Sequence, residues 1–180
     1  MLEMMPTPCA SWKFTPPLRR SGLQGRLVFS SATDMYLITP SQTELERGLK
    51  SWHWIGIEEK TPVAVTAFGD VFFVALTGIW FLDTLEGTLA RVCGSRQELA
   101  EILESDEGKN HYLFAGFVQR AAREGMSLGA GECYGFKVAP ILGGAIGFEN
   151  VEKRSLPDSL HNAGQMHEQI RKRPEGGNRE

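Results

Sequence analysis

The chain has 180 residues, with 19 Lys and Arg against 22 Asp and Glu, a size that predicts one domain with short appendages. Apolar residues make up 42% and charged residues 23%, which argues against wholesale disorder, a collagen-like chain and a coiled coil. Residues 27–170 carry 11 basic and 19 acidic side chains, a net −8, whereas the flanks carry 8 and 3, a net +5. This acidic body argues against direct nucleic-acid binding, which needs clustered Lys and Arg.

The sequence also bears on the compartment. The longest apolar run, Val71 to Leu82, is twelve residues long, short of the roughly 18–20 that cross a bilayer. Residues 1–25 start with the acidic Glu3 rather than with basic residues, and prolines interrupt them before an apolar run forms. Both features are unlike a secretory signal. The chain has three cysteines, Cys9, Cys93 and Cys133. They form no Cys-x-x-Cys pair, and their number is odd, which fits a reducing compartment better than a disulfide scaffold. We therefore expect a cytoplasmic protein that has no membrane partner.

The elements can be predicted in chain order. Residues 1–25 are rich in Pro, Ser and Arg and predict a loosely ordered arm, residues 26–170 a single domain, and residues 171–180 a disordered tail. Ser41 and Glu44 form a capping box, which predicts a helix from Gln42 to Ser51.

Four short apolar runs separated by tight turns follow Pro62 and predict an antiparallel meander. The runs are Val63 to Phe68, Val71 to Leu76, Ile79 to Leu82 and Thr88 to Val92. The middle strands are apolar at nearly every residue, so we expect both faces of the sheet to be covered, one of them by helices.

Helices and strands then alternate towards the end of the chain. A second capping box, Ser95 to Glu98, predicts a helix that ends near Glu104. The remaining predictions are a helix over Asn110 to Glu124, strands over Glu132 to Val138 and Val151 to Leu156, and a helix capped by Asp158 that runs to Ile170. The predicted class is α+β: an antiparallel β-meander with helices packed on one side, in a single domain.

No motif of known chemistry is complete. Glycines at 129–131 and 143–147 precede a strand or connect strand-like segments, so we interpret them as turns rather than a phosphate cradle, with a ligand loop as the alternative. The four histidines have no metal-ligand spacing, and Cys133 has no adjacent base in the sequence. We predict no catalytic residue, cofactor or metal. A cluster of His167, Cys133 and a carboxylate would favour a hydrolytic or nucleotide-using enzyme instead.

Two further patterns allow a binding function. An apolar pocket beside Trp52, Trp54 and the Gly143-Gly144 loop would suit a small-ligand or sensor domain, although aromatics at these spacings are more typical of a core. Five carboxylates fall within ten residues: Glu98, Glu101, Glu104, Asp106 and Glu107. This run is either a solvated face or a docking surface for a basic partner, because an acidic patch speeds the association of oppositely charged proteins.

Six segments, in order, carry a resemblance to a known family. They are Trp52-x-Trp54, Val65 to Phe72, Phe81-Leu82-Asp83-Thr84 with Gly87, Leu128-x-x-Gly131-x-Cys133-Tyr134-Gly135-Phe136, Pro140-x-Leu142-Gly143-Gly144 with Glu149-Asn150, and Gly164-Gln165-Met166-His167. Over about residues 35–173 the chain resembles the C-terminal domain of type VI secretion DNase immunity proteins. In fuller members a GAD-like domain comes first, whereas here a short arm and one helix precede the meander.

The resemblance implies a non-catalytic bacterial antitoxin that binds a cognate nuclease effector and blocks it stoichiometrically. The expected partner is a basic, nuclease-type protein toxin, because nucleases that grip DNA present basic clefts. On this interpretation the five carboxylates between Glu98 and Glu107 are the candidate partner-binding residues, and neither nucleic acid nor a cofactor is bound directly.

Overall fold

The computed structural model describes residues 31–173. The predicted arm, 1–25, and residues 174–180 of the tail predicted over 171–180 lie outside this range, whereas Arg171 and Lys172 belong to the last helix. The first elements are α1 (Ser31–Asp34), β1 (Leu37–Ile38) and α2 (Gln42–Leu49), and a 3-10 helix (Lys50–Ile55) continues α2. The predicted capping box of α2 is confirmed, because the Ser41 side chain accepts from the Glu44 amide and the Glu44 carboxylate accepts from the Ser41 amide.

The predicted meander is confirmed. It comprises β2 (Thr61–Thr66), β3 (Val71–Ala75), β4 (Gly78–Asp83) and β5 (Thr88–Cys93). Together with β1 these strands form a five-stranded antiparallel sheet in the order β1-β2-β3-β4-β5. The two-residue strand β1, which pairs Leu37 with Thr66, was not predicted because so short a run has no period.

The α+β class is confirmed, but the helices pack on both sides of the sheet rather than on one. On one face, Phe72 and Phe81 share a core with α3 (Arg96–Glu104), α4 (Asp106–Leu113) and α5 (Ala115–Arg123). On the other face, Val71, Phe73 and Leu82 share a second core with α2, the 3-10 helix and α6 (Leu156–Lys172). Because neighbouring residues of a strand point to opposite faces, the unbroken apolar runs of β3 and β4 supply both cores.

The helix predicted over Asn110 to Glu124 is two helices, α4 and α5. The break lies at Phe114, whose φ of 49° is left-handed, and whose amide donates to the Lys109 carbonyl to end α4. A non-glycine residue rarely adopts this conformation. Here the turn brings the Phe114 ring within 4.9 Å of Phe68 and 5.8 Å of Phe117, centroid to centroid, so aromatic packing offsets the backbone cost.

A second, two-stranded sheet follows, in which β6 (Glu132–Phe136) pairs antiparallel with β7 (Val151–Ser155). Both strands lie within the ranges predicted for them, Glu132 to Val138 and Val151 to Leu156. Two 3-10 helices, Pro140–Leu142 and Phe148–Asn150, lie between these strands. α6 begins two residues before Asp158, so Asp158 lies in its first turn and is not its cap. There the carboxylate of Asp158 pairs with Arg47 of α2. Within residues 31–173, no helix is long and apolar enough to cross a membrane.

Candidate binding surfaces

The five predicted partner-binding carboxylates lie on α3 and at the start of α4, and all are exposed: Glu98, Glu101, Glu104, Asp106 and Glu107. We call this set the acidic ridge. None of the ion pairs found within residues 31–173 includes a member of it. Its charge is therefore not neutralised by a salt bridge from the described part of the chain.

The Ser105 side chain caps both helices where α3 meets α4 in the acidic ridge. The Ser105 hydroxyl donates to the Ile102 carbonyl at the end of α3, at 2.7 Å, and accepts from the Gly108 amide at the start of α4, at 3.0 Å. The Glu98 carboxylate is fixed in a similar way, since it accepts from the Gly94 amide and the Ser95 hydroxyl. The bond from Gly94 is the main reason that the pKa of Glu98 is lowered. The ridge is thus a charged surface on a fixed backbone.

The residues predicted for an enzyme alternative make separate contacts. His167 is buried, and its Nε2 lies 3.1 Å from the Thr84 carbonyl oxygen while its ring faces Trp52 at 5.8 Å. Burial raises the pKa of the Cys133 thiol to about 12, so the thiolate is scarcely populated at neutral pH. Among residues 31–173, no group of three or more His, Cys, Asp and Glu side chains could hold a metal ion.

The predicted pocket beside Trp52 and Trp54 is replaced by packing. The Trp52 side chain is fully buried and its indole nitrogen donates to the Leu160 carbonyl at 2.8 Å, while that of Trp54 donates to the Gly164 carbonyl at 3.3 Å. The Arg171 guanidinium lies over the Trp54 ring, 5.0 Å from its centroid. Both tryptophans therefore attach α6 to the 3-10 helix, and neither lines the cavity described next.

A cavity of about 350 Å³ lies elsewhere, between β6, the segment that follows it and α6. Its apolar walls include Phe68, Phe114 and Phe136, and Asp70 and Thr84 lie among its polar lining residues. Three exposed apolar side chains of the 138–142 segment also line it: Val138, Ile141 and Leu142. We call these three residues the apolar rim.

Asn150 fixes the loop that carries the apolar rim. Its side chain accepts from the Val138 amide and donates to the carbonyls of Val138 and Ala145. Gly144 packs so closely that a Cβ there would lie 1.9 Å from the Val138 carbonyl oxygen. Gly144 thus allows a close backbone approach that no other residue would permit. The loop is held by hydrogen bonds while its apolar side chains stay in solvent.

Asp70 is the buried carboxylate of the cavity, with 3% of its surface exposed. Its Oδ1 accepts from the amide and the hydroxyl of Thr84, at 2.9 and 2.7 Å, and its Oδ2 accepts from the Thr66 hydroxyl at 3.3 Å. Burial, assisted by the nearby Asp83, raises the pKa of Asp70 to about 6. None of the ion pairs within residues 31–173 supplies a cation to Asp70.

Comparison with known proteins now bears on these surfaces. Residues 94–167 match the family model described as T6SS immunity protein Tdi1, C-terminal. This is the family that the sequence resembles. The Tdi1 match begins directly after β5 and extends into α6, so it includes the whole acidic ridge, the loop of the apolar rim and His167. Over these residues the chain is similar to the C-terminal part of a T6SS immunity protein.

The chain is also similar to solved structures. The crystal structure of Atu4351 from Agrobacterium tumefaciens aligns with 68% of this chain at 14% identity and a TM-score of 0.45. The chain covers 62% of that structure, less than two thirds of its length. No curated protein matches the sequence.

Sequence reasoning located the acidic ridge but missed the cavity. In the sequence Asp70 follows Gly69 and looks like an ordinary turn residue of a hairpin. Its hydrogen bonds to Thr84 join positions fourteen residues apart, so no local pattern reveals them. The apolar rim left a fainter signal. Ile141 and Leu142 are large apolar residues between Pro140 and Gly143 that no predicted strand or helix includes. Val138 gave no such signal, because it ended the strand predicted from Glu132, which stops at Phe136 in the structure.

Proposed function

We propose that this protein is a cytoplasmic immunity protein that binds a cognate nuclease effector of a type VI secretion system and blocks it without catalysis. The observation that carries the proposal is the match of residues 94–167 to the Tdi1 C-terminal family. The shielded thiol of Cys133 and the separate contacts of His167 support a non-catalytic role.

The acidic ridge is the proposed docking surface for a basic effector. Its carboxylates are exposed and outside the salt bridges described, and the two caps of Ser105 fix their backbone. An effector that grips DNA presents cationic side chains, which the ridge attracts before contact. Covering those side chains would compete directly with DNA.

Inhibition is tested with any nuclease-type toxin that is found encoded beside this gene. The purified effector is mixed with increasing amounts of this protein, and cleavage of plasmid DNA is followed on gels. We expect cleavage to stop near one molar equivalent. Undiminished cleavage at a large molar excess, with this protein folded by circular dichroism, would overturn the proposal.

The ridge is tested by changing Glu101, Glu104, Asp106 and Glu107 to Lys and measuring association by stopped flow. We expect association to slow by about 10- to 1,000-fold and to lose most of its salt dependence. A matched control changes four exposed carboxylates elsewhere by the same total charge: Glu46, Glu58, Glu59 and Glu86. Because Lys is unfavourable in the first turn of α4, a Gln and Asn version of the ridge variant is measured too. Equal rates for ridge and control variants would remove the ridge from the interface.

A further inference from the structure

The cavity beside the apolar rim has the composition of a site for a cation on an apolar stem. Its walls include the rings of Phe68, Phe114 and Phe136, and its one carboxylate is the deeply buried Asp70. Aromatic faces attract cations, and aliphatic stems of Lys and Arg pack on apolar surfaces while the charged head reaches a polar partner. The volume of about 350 Å³ lies within the range of ligand pockets.

Asp70 can accept another hydrogen bond. Its Oδ1 has two donors, both from Thr84, whereas its Oδ2 has only the 3.3 Å contact from Thr66. A carboxylate has about four acceptor positions, so at least one on Oδ2 is available. A buried carboxylate without a cation is costly, and an entering ammonium or guanidinium group would relieve that cost.

The two cations that also line the cavity are engaged elsewhere. Arg154 pairs with Glu152 at 2.8 Å, and the Lys137 ammonium donates to the Glu149 carbonyl at 2.9 Å. Both groups are held by partners on or next to β7. Neither forms an ion pair with Asp70, so a counter-charge for Asp70 would come from outside the described residues.

The apolar rim indicates that this cation belongs to a protein surface. Val138 and Leu142 expose more than half of their residue surface, and Ile141 about two fifths, yet Asn150 holds their loop in place. Fixed, exposed apolar side chains around a pocket are typical of the centre of a protein interface, where an inserted Arg is a frequent anchor.

We propose that this cavity receives an Arg or Lys side chain of the effector, whose charged head reaches Asp70 while the apolar rim packs on the surrounding effector surface. This inference rests on the proposed immunity function and adds a second contact to the acidic ridge. The ridge acts at long range and chiefly on the association rate. The cavity acts in contact and chiefly on the dissociation rate.

The first test measures affinity for the effector by calorimetry in three variants. Leu142→Glu on the rim and Asp70→Asn inside the cavity are each expected to weaken binding about tenfold or more, mainly through faster dissociation. The matched control is Leu76→Glu, which changes a fully exposed leucine at the turn between β3 and β4. It should bind as the unaltered protein does. Unaltered affinity in both cavity variants, while the parent protein still binds and inhibits, would overturn the inference and leave the immunity function standing.

The second test needs no effector. The isolated protein is titrated with n-butylguanidinium, which mimics an Arg side chain, and with n-butylurea, its uncharged analogue, while amide resonances are followed by NMR. Because the Thr84 amide donates to Asp70, its resonance should shift saturably with butylguanidinium and much less with butylurea. The Asp70→Asn variant should lose the difference. Equal responses to both probes, or none to either, would overturn the inference whatever the effector proves to be.

Discussion

The two faces of the five-stranded sheet are covered in different ways. Towards α3, α4 and α5, the core is built from side chains, with rings such as Phe72 and Phe81 in contact at 4.6 Å between centroids. Towards α6, backbones approach closely. A Cβ on Gly164 would lie 2.5 Å from the Ser51 hydroxyl, and one on Gly48 would lie 2.7 Å from the Leu160 side chain.

The α6 face also concentrates the buried polar groups. The Trp52 indole donates to a carbonyl of α6, His167 contacts the Thr84 carbonyl, and Asp70 bonds to Thr84. Side chains in an apolar core can repack around a substitution. A position that has room only for glycine, or a side chain that makes a buried hydrogen bond, cannot be replaced without a loss of stability. We therefore expect the α6 face to tolerate fewer substitutions than the α3–α5 face.

The largest expected effect comes from Trp52→Ala. The side chain is fully buried and bonds to Leu160, so its loss should lower the free energy of unfolding by about 3–5 kcal/mol in urea denaturation. Trp54→Ala is the control, because this neighbouring indole is only half-buried and makes the longer bond, at 3.3 Å. Equal losses for the two variants would show that burial on this face matters less than the structure implies.

The second effect is a pH dependence at Asp70. Its pKa is raised from 3.8 to about 6 in the fold, so the folded state holds a proton that the unfolded state has released. The contribution of Asp70 to stability is thus largest at low pH and is lost as pH rises from about 4 to 6. Compared with Asp70→Asn, the parent protein should lose about 3 kcal/mol of stability across that window.

This pH effect is isolated by subtraction, because other carboxylates titrate in the same range. Thermal unfolding of both proteins at several pH values gives the difference in stability, in which the shared groups cancel. Parallel curves would contradict the raised pKa. A difference that grows in the opposite direction would mean that Asp70 is stabilised in its ionised form.

The third effect compares two helical glycines. Gly164→Ala should lower the free energy of unfolding by about 2 kcal/mol, because the added methyl group meets the hydroxyl and carbonyl of Ser51. Gly116→Ala in α5 has open space around the same methyl group and should be neutral or stabilising by up to about 1 kcal/mol. Guanidinium denaturation of the pair checks both. If both variants gain stability, close backbone approach does not limit the α6 face.

The smallest effect is expected on the other face, at Ser105→Ala. The hydroxyl caps both α3 and α4, so its loss should cost about 1–2 kcal/mol. Ser105→Thr keeps the hydroxyl and is the control. Hydrogen exchange should show faster opening of the Gly108 amide in Ser105→Ala alone. If the exchange rate of the Gly108 amide does not change, the Ser105 hydroxyl does not stabilise the backbone of the acidic ridge.

Local chemistry made part of this fold predictable. The capping box at Ser41, the turns of the meander and the alternation of β6 and β7 depend on neighbouring residues, so the sequence displays them directly. The capping box predicted at Ser95 is half present. Its hydroxyl accepts from the Glu98 amide, but the bond from Gly94 engages the Glu98 carboxylate instead of the Ser95 amide.

Long-range packing explains what the sequence did not reveal. Phe114 breaks a continuous helical pattern because its ring joins Phe68 and Phe136, which lie far from it in the chain. Helices on the second face, and the cavity lined by Asp70, likewise depend on α6 returning to segments about a hundred residues earlier. Periodicity shows that a residue is buried, and it does not show against which partner.

The attachment of α6 to the start of the domain also has a consequence for biosynthesis. The bonds from Trp52 to Leu160 and from Ser51 to His161 join residues 108 and 110 positions apart. During translation α6 emerges after every other described element. Until then, the side chains of Val71, Phe73 and Leu82 lack the helix that buries them in the folded protein. Contacts between residues far apart in the sequence slow folding, and a nascent chain that still lacks α6 leaves this apolar face of the sheet exposed. The fold would then be complete only once α6 has docked.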